Sequence, residues 1–283
     1  MSDVDDGLAA AGLSAPMAAR LRGELASQPF PLLFVTISGA HLYGFASPDS
    51  DYDLRGAHIL PAREVVGLDV GPDTIEVAEM RGNLELDLVT YDVKKLFELL
   101  LKKNGSALEQ VLSPLVILTT SAHAELMALA VRCVTRHHAS HYLGFAQAQW
   151  RLFEKEQPHR VKPLLYIYRV LLTGIHLMQT GVVESHLPTL NAEYRLPQIA
   201  DLIAHKQTGP ERATLDAADM AFHRSEYARL SERLREAAAE SALPEDANVW
   251  PALHDLLLRL RLGEASALGA DASAIAGNSG HVD

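Results

Sequence analysis

Asp51 and Asp53 stand one residue apart, a short distance after the small-residue turn Ser38-Gly39-Ala40-His41-Leu42-Tyr43-Gly44. On a strand, the period of two puts both carboxylates on one face. Two like charges that close repel one another unless a cation lies between them. Mg²⁺, or Mn²⁺ in its place, is the natural counter-ion, because hard ions take oxygen ligands and commonly bind substrate phosphates as well. The turn in front offers backbone N–H groups with little side-chain obstruction, an arrangement that binds phosphate. A phosphate cradle beside a metal-binding carboxylate pair suits nucleotidyl transfer, with an NTP as the substrate.

The elements that must position these groups follow from local pattern. Leu32 to Ile37 is a short apolar run with β-branched residues and reads as a buried strand. Tyr52 and Leu54 alternate with Asp51 and Asp53, so the acids lie on a second strand that Pro61 closes. Thr74–Met80 and Leu84–Tyr91 alternate around Arg81-Gly82-Asn83, the pattern of a hairpin. In the second of these segments Glu85, Asp87 and Val89 share one face and Leu84, Leu86 and Leu88 the other. Asp92 is placed to cap a helix from Val93 to Lys103, which Asn104 and Gly105 would end. An earlier helix is expected over Ala15–Leu25.

From about residue 120 the texture is helical. Helices are expected over Ala122–Arg136, Ser140–Lys155, Lys162–Gln179, Leu196–Lys206, Ala213–Ser241 and Val249–Leu262. The chain therefore reads as α+β: an N-terminal extension over 1–28, a mixed α/β unit over 29–120, an all-helical unit over 121–262 and a disordered tail over 263–283, with a cleft between the two units.

The stretch GAHLYGFASPDSDYDLRGAHILP resembles the DNA polymerase β-like nucleotidyltransferase superfamily. That signature is Gly-Ser on a turn, about ten residues, then Asp-x-Asp or Asp-x-Glu on a strand. More narrowly, the chain is similar to the YcgL-type, RNA-ligase-associated (RlaP) nucleotidyltransferases. The similarity runs on through LDLVTYDVKKLFELLLKKNGSALEQVLSP and VKPLLYIYRVLLTGIHLMQTG. The resemblance implies a polymerase-β-like catalytic domain, a mixed sheet with helices, followed by a helical domain. It also implies two-metal catalysis, with Asp51 and Asp53 holding both ions. A third carboxylate would come from a neighbouring strand. Glu85 and Asp87 both fit, and the family pattern, an Asp just before Tyr-Asp-Val-Lys-Lys, favours Asp87. Nucleotide contacts are expected from Ser38, Gly39, Ala40, His41 and Arg55, and from Lys162 and Arg169 of the helical domain. Ala40 stands where the superfamily normally has Ser, so the phosphate-contacting hydroxyl is missing there, with Ser38 adjacent.

Arg55 lies two residues after Asp53 and reads equally as a phosphate ligand or as a partner for the nearby carboxylates. Asp49, in Ser-Pro-Asp-Ser, reads as turn chemistry. His137 and His141 have helical spacing but no third ligand, so they read as polar surface and not as a zinc site. Tyr166 and Tyr168 either stack on a base or fill the core. Lys94, Lys95, Lys102 and Lys103 read as the outer face of a surface helix.

The whole chain has 25 basic and 36 acidic side chains in 283 residues, a formal charge of −11. Between residues 132 and 169, however, seven basic side chains face two acidic ones, a net of +5 against −16 for the rest. The average disfavours sequence-blind nucleic-acid binding. The local excess leaves room for a nucleotide or an RNA end as partner. A lone Cys133 excludes an internal disulfide framework. No apolar run is long enough for a membrane span, and the acidic N-terminus is unlike a signal peptide, so a cytoplasmic enzyme is expected. The competing reading is a nucleotide sensor or antitoxin-like module that keeps the fold without turnover.

Overall fold

The computed structural model describes residues 7–9, 12–48, 50–82, 84–208, 214–215 and 219–263. The first described full helix is α1 (Ala15–Leu25), capped by the Ser14 side chain. Then follow β1 (Leu32–Ile37), the five-residue α2 (Gly39–Tyr43), β2 (Tyr52–His58), the short α3 (Ala62–Val66), β3 (Thr74–Arg81) and β4 (Leu84–Asp92). Next come α4 (Val93–Leu101), α5 (Gly105–Val111) and β5 (Val116–Leu118). The rest is helical: α6 (Ser121–Cys133), α7 (His138–Lys155), α8 (Val161–Thr180), α9 (Leu187–Tyr194), α10 (Pro197–Thr208), α11 (Met220–Glu240) and α12 (Trp250–Leu262). This is an α+β architecture of polymerase-β-like type, as expected. No helix among the described residues is long and apolar enough to cross a membrane.

The five strands form one mixed sheet in the order β3-β4-β2-β1-β5. β2 and β4 run parallel, and the other pairs are antiparallel. β3 makes the parallel pair possible, because the chain crosses to the sheet edge and returns through a hairpin turn at Gly82, whose φ is 64°. In β4 the leucines at 84, 86 and 88 are buried, and Asp87, Val89 and Tyr91 share the opposite, half-open face. α4 is amphipathic: Asp92 accepts from the Lys94 N–H at 3.1 Å at its start, and Val93, Leu96, Phe97 and Leu100 are buried.

Several expectations shift by local chemistry. The Gly39–Tyr43 turn closes into a helical turn ended by Gly44 in the left-handed region. Asn104 and Gly105 do not merely end a helix. Asn104 caps α5, its side chain accepting from the Ala107 N–H at 3.0 Å. Ser140 does not break the His137–His141 segment, and α7 runs through it from His138. β5, α3, α5 and α9 are too short to leave a periodic signal. The start expected at Ala213 for the long helix falls at Met220, with 209–213 and 216–218 outside the described residues, as are Asp49 and the tail over 264–283.

α8 is the axis of the helical part and is buried along nearly its whole length. A Cβ on its Gly174 would lie 2.9 Å from Tyr142 of α7 and Leu234 of α11, so this glycine permits the close three-helix contact. α12 returns to the first half of the chain. There Arg261 reaches the Leu60 carbonyl and the Asp92 carboxylate, a buried ion pair.

Candidate active site

The parallel β2–β4 ladder sets Asp53 directly beside Asp87, with Tyr52 beside Leu86 and Arg55 beside Val89. Paired residues project from the same face of the sheet, so the two carboxylates are neighbours by register. Glu85, the other candidate, is solvent-exposed. Asp51 immediately precedes β2, and its charge acts on Asp53, His41 and Tyr166.

β1 lies on the other side of β2 and delivers the turn to the same end of the sheet. The Ser38 N–H donates to the Asp53 carbonyl at 2.8 Å. Gly39 follows with φ at +63°, and a Cβ there would stand 1.7 Å from Asp53 Oδ2. Only glycine lets the backbone approach this carboxylate. Ala40 is buried. His41 stacks on Tyr52 with ring centres 4.3 Å apart, and its Nε2 lies 3.5 Å from the Ser50 carbonyl. Burial lowers its pKa, with the Ser50 carbonyl and the Asp51 charge opposing.

Arg55 engages both strand carboxylates. Its Nη2 is 3.0 Å from Asp53 Oδ1 and 2.9 Å from Asp87 Oδ2, and Nη1 is 3.2 Å from Asp87 Oδ1. Nη1 also donates to the Leu54 and Asp87 carbonyls at 2.8 and 3.0 Å. Of the two sequence readings, the structure shows the carboxylate pairing. Burial pushes Asp53 up to about 6; the charges of Asp51 and Asp87 add to the rise and Arg55 opposes it. The donor set, three carboxylates beside an open glycine cradle, fits a hard divalent ion. Among the described residues no three such side chains already converge on one point. The Arg55 guanidinium stands between Asp53 and Asp87.

α8 closes the site from the helical side. Lys162, Tyr166 and Arg169 share one helix face. Tyr166 packs edge-on against Tyr43 and Phe45 at 5.4 and 5.5 Å, and the charges of Asp51 and Asp53 are felt at its hydroxyl. Arg169 does not open into the site. It is buried, donates to Glu109 Oε2 at 2.6 Å and lies 4.0 Å over the Tyr43 ring. Its charge is spent inside the protein, so the expected triphosphate contact is not formed by this placement; Lys162, two turns further out, is half-buried. Tyr168 is core, with its hydroxyl 2.9 Å from His223 Nδ1. His137 is exposed, as expected, whereas His141 is partly buried and the neighbouring His138 is buried beside Thr135.

Two cavities adjoin these elements, and neither is lined by Asp51, Asp53 or Asp87. One of about 800 Å³ lies beside α2, between the Ser113–Leu115 segment and the Glu184–His186 loop. The other, about 280 Å³, lies on the Asp87 face of the sheet near Tyr91. Lys95 lines this second cavity and bonds Asp73 and Thr74 at 2.9 and 2.5 Å, so it does not belong to an outer face. Sequence reasoning missed Glu109, Tyr91 and Gln110. A single acid in the run SALEQVL carries no signal until Arg169 is seen opposite it.

Comparison with known proteins agrees with this geometry. Residues 14–259 match the family model described as an RNA repair pathway DNA polymerase beta family, RlaP. An uncharacterized protein of Methanocaldococcus jannaschii is 34% identical over 155 residues, 54% of this chain and 63% of that protein. The chain thus spans somewhat under two thirds of this archaeal relative. The uncharacterized protein YcgL of Bacillus subtilis is 24% identical over 219 residues, 74% of this chain and 83% of that one. With the matched model covering most of its length, and the paired strand carboxylates and glycine turn in place, the chain belongs to the RlaP family of DNA polymerase β-like nucleotidyltransferases associated with RNA repair.

Proposed function

We propose that this chain transfers a nucleoside monophosphate from an NTP to a hydroxyl, with an RNA end as the acceptor class. The observation that carries the reading is the in-register placement of Asp53 beside Asp87, with the Gly39 backbone against Asp53. Family membership supports the acceptor class.

The acceptor oxygen forms a bond to the α-phosphorus. The bond from that phosphorus to the oxygen bridging to the β-phosphate breaks, and pyrophosphate leaves with the electron pair. Asp87, on the side away from the turn, takes the hydroxyl proton. Asp51, Asp53 and Asp87 would hold Mg²⁺ or Mn²⁺, which when bound stabilises charge on the attacking and leaving oxygens. The turn at Ser38, Gly39, Ala40 and His41 offers backbone N–H groups to phosphate. Arg55, once released from the carboxylates, would supply a guanidinium to the same phosphates, and Lys162 stands at the outer end of the α8 face. Tyr43, Phe45 and Tyr166 give this side of the site an aromatic wall.

The test is incubation with labelled NTPs, Mg²⁺ or Mn²⁺ and a mixture of RNAs. Metal-dependent label transfer or pyrophosphate release that disappears in the Asp51→Ala/Asp53→Ala double variant is the expected result. The second reading, a nucleotide sensor without turnover, is favoured by one observation, the Arg55 guanidinium already standing between Asp53 and Asp87. Nucleotide binding without pyrophosphate release across all acceptors selects it.

A further inference from the structure

The cavity near Tyr91 has a definite relation to the proposed chemistry. In-line displacement puts the attacking and leaving oxygens on opposite sides of the phosphorus. The turn that would hold the triphosphate lies on the β1 side of Asp53. The acceptor must then approach from the other side, over β4 and β3. Asp87, Val89 and Tyr91 line one face of β4, and their partners on β3 are Ala78, Glu76 and Thr74. Tyr91 is four residues beyond Asp87, about 13 Å along the strand. The wall of this groove is α5, tied to β1 by the Thr36 hydroxyl, which donates to the Gln110 carbonyl at 3.1 Å.

We infer that this cavity is the acceptor subsite and takes a nucleobase at or next to the acceptor's reacting end. The inference rests on the nucleotidyl-transfer reading of the site. At about 280 Å³ the cavity is at the small end of ligand pockets, the size for one planar base rather than a folded strand. Its lining supplies what an unstacked base needs, an aromatic ring and mixed donors and acceptors for the base edge. Tyr91 is the ring, and Lys95 Nζ lies 5.2 Å from its centre on a side chain fastened to Asp73 and Thr74. Gln110 Oε1 is buried with no hydrogen-bond partner among the described residues, and such atoms are rare without a ligand to satisfy them. Asn104 spends its Oδ1 on the α5 cap and so offers its amide N–H groups, and Glu76 adds an acceptor at the rim.

The test is fluorescence anisotropy with a labelled hexa-adenylate RNA, Ca²⁺ replacing Mg²⁺, and the same strand made abasic at its last two 3′ positions. Tyr91→Ala is expected to weaken binding of the intact strand roughly fivefold or more, the range for loss of one base–aromatic stack, with Tyr91→Phe retaining it. The abasic strand should bind wild type as weakly as the intact strand binds Tyr91→Ala. Gln110→Leu, which removes a buried unpartnered acceptor at similar size, should lower affinity with no fall in melting temperature. A fluorescent ATP analogue should bind wild type and Tyr91→Ala alike. Equal affinity of wild type, Tyr91→Ala and Gln110→Leu for the intact strand overturns the inference, as does failure of the strand to bind at all. A parallel loss of ATP-analogue binding in Tyr91→Ala also overturns it, by assigning the cavity to the donor. The transfer reading fails separately, through label transfer that survives Asp51→Ala/Asp53→Ala or never occurs.

Discussion

Arg55 grips Asp87 with both terminal nitrogens, Nη1 on Oδ1 at 3.2 Å and Nη2 on Oδ2 at 2.9 Å, while Nη2 also holds Asp53. Parallel two-point pairing is the strong form of a guanidinium–carboxylate contact. It puts an internal cation where a divalent ion would bind, so metal entry has to displace or share it. Arg55→Gln removes the competitor and leaves two neighbouring carboxylates uncompensated. The variant should melt lower than wild type in EDTA and gain more from Mn²⁺, because a ligand that binds only the native state raises its stability with affinity. Melting scans with and without Mn²⁺ read both effects. An equal Mn²⁺-induced rise in the two proteins would show that Arg55 does not compete.

Asp53 carries the pH dependence. Its folded pKa, pushed up chiefly by burial to about 6, exceeds the ordinary carboxylate value. The native state therefore binds this proton more tightly than the unfolded chain, and the contribution to stability falls as pH rises from about 4 to about 6. Asp53→Asn lacks the penalty. In the absence of metal it should melt a few degrees above wild type at pH 7, with the gap closing below about pH 4. Apparent Mn²⁺ affinity of wild type should weaken below about pH 6 as the proton competes. A constant melting difference across this range would remove Asp53 as the group responsible.

The Arg169–Glu109 pair is structural. Both side chains are almost fully buried, and the guanidinium also lies over Tyr43, which belongs to α2. Removing one member of a buried pair leaves a bare charge, at about 3–5 kcal/mol. Glu109→Gln should lower the melting temperature by about 10 °C or more on that scale. The double variant Glu109→Leu/Arg169→Met, which leaves no charge behind, should recover most of the loss. If Arg169 instead served the triphosphate, the double variant would stay stable yet lose nucleotide binding more deeply than a disturbed α2 explains.

Much of this arrangement is legible in the sequence. Alternation in Leu84–Tyr91 and the Asp-x-Asp spacing fix which carboxylates share a face, since strand geometry is a local property. The partner of Asp53 is not local. Asp87 is a neighbour only because β3 sends the chain out to the sheet edge and back, and Glu85 has the same face and flanking leucines. Family pattern, not periodicity, separates the two in advance. Arg169 fails for a related reason. Spacing puts it on a helix face with Lys162, but which face meets solvent depends on Glu109, sixty residues away, and on the packing of α8 at the centre of the helices. Short elements such as α5 escape because two helical turns are too short a run for a period to show. The Tyr91 cavity, which α5 walls, is invisible with it.

Ala40 marks the departure from the superfamily's Gly-Ser. Its side chain is buried and its carbonyl accepts from Phe45 N–H at 3.1 Å, so the helical turn closes without a hydroxyl. Ala40→Ser should leave the melting temperature within a degree or two, since one added oxygen on a small side chain perturbs packing little. If a hydroxyl at this position reaches phosphate, nucleotide affinity should tighten several-fold, read by titration with a fluorescent ATP analogue. Unchanged affinity would show that the backbone donors of the turn suffice.

Gly39 tests the cradle itself. Its φ of +63° and the 1.7 Å separation between a Cβ and Asp53 Oδ2 are independent penalties. The first costs a residue with a side chain about 1 kcal/mol or more. The second is not relieved by a small shift, because Asp53 Cγ and Cβ would also lie within 2.7 and 3.1 Å and Arg55 holds Oδ1 at 3.0 Å. Gly39→Ala should therefore melt several degrees below wild type. It should also push the Asp53 carboxylate out of line with Asp87, so that Mn²⁺ no longer raises the melting temperature. Pairing with Asp53→Ala separates the two effects, because removing the carboxylate relieves the 1.7 Å clash and leaves the backbone penalty. A Gly39→Ala protein that melts low yet keeps a full Mn²⁺ response would show that the glycine serves the turn alone and not the carboxylate beside it.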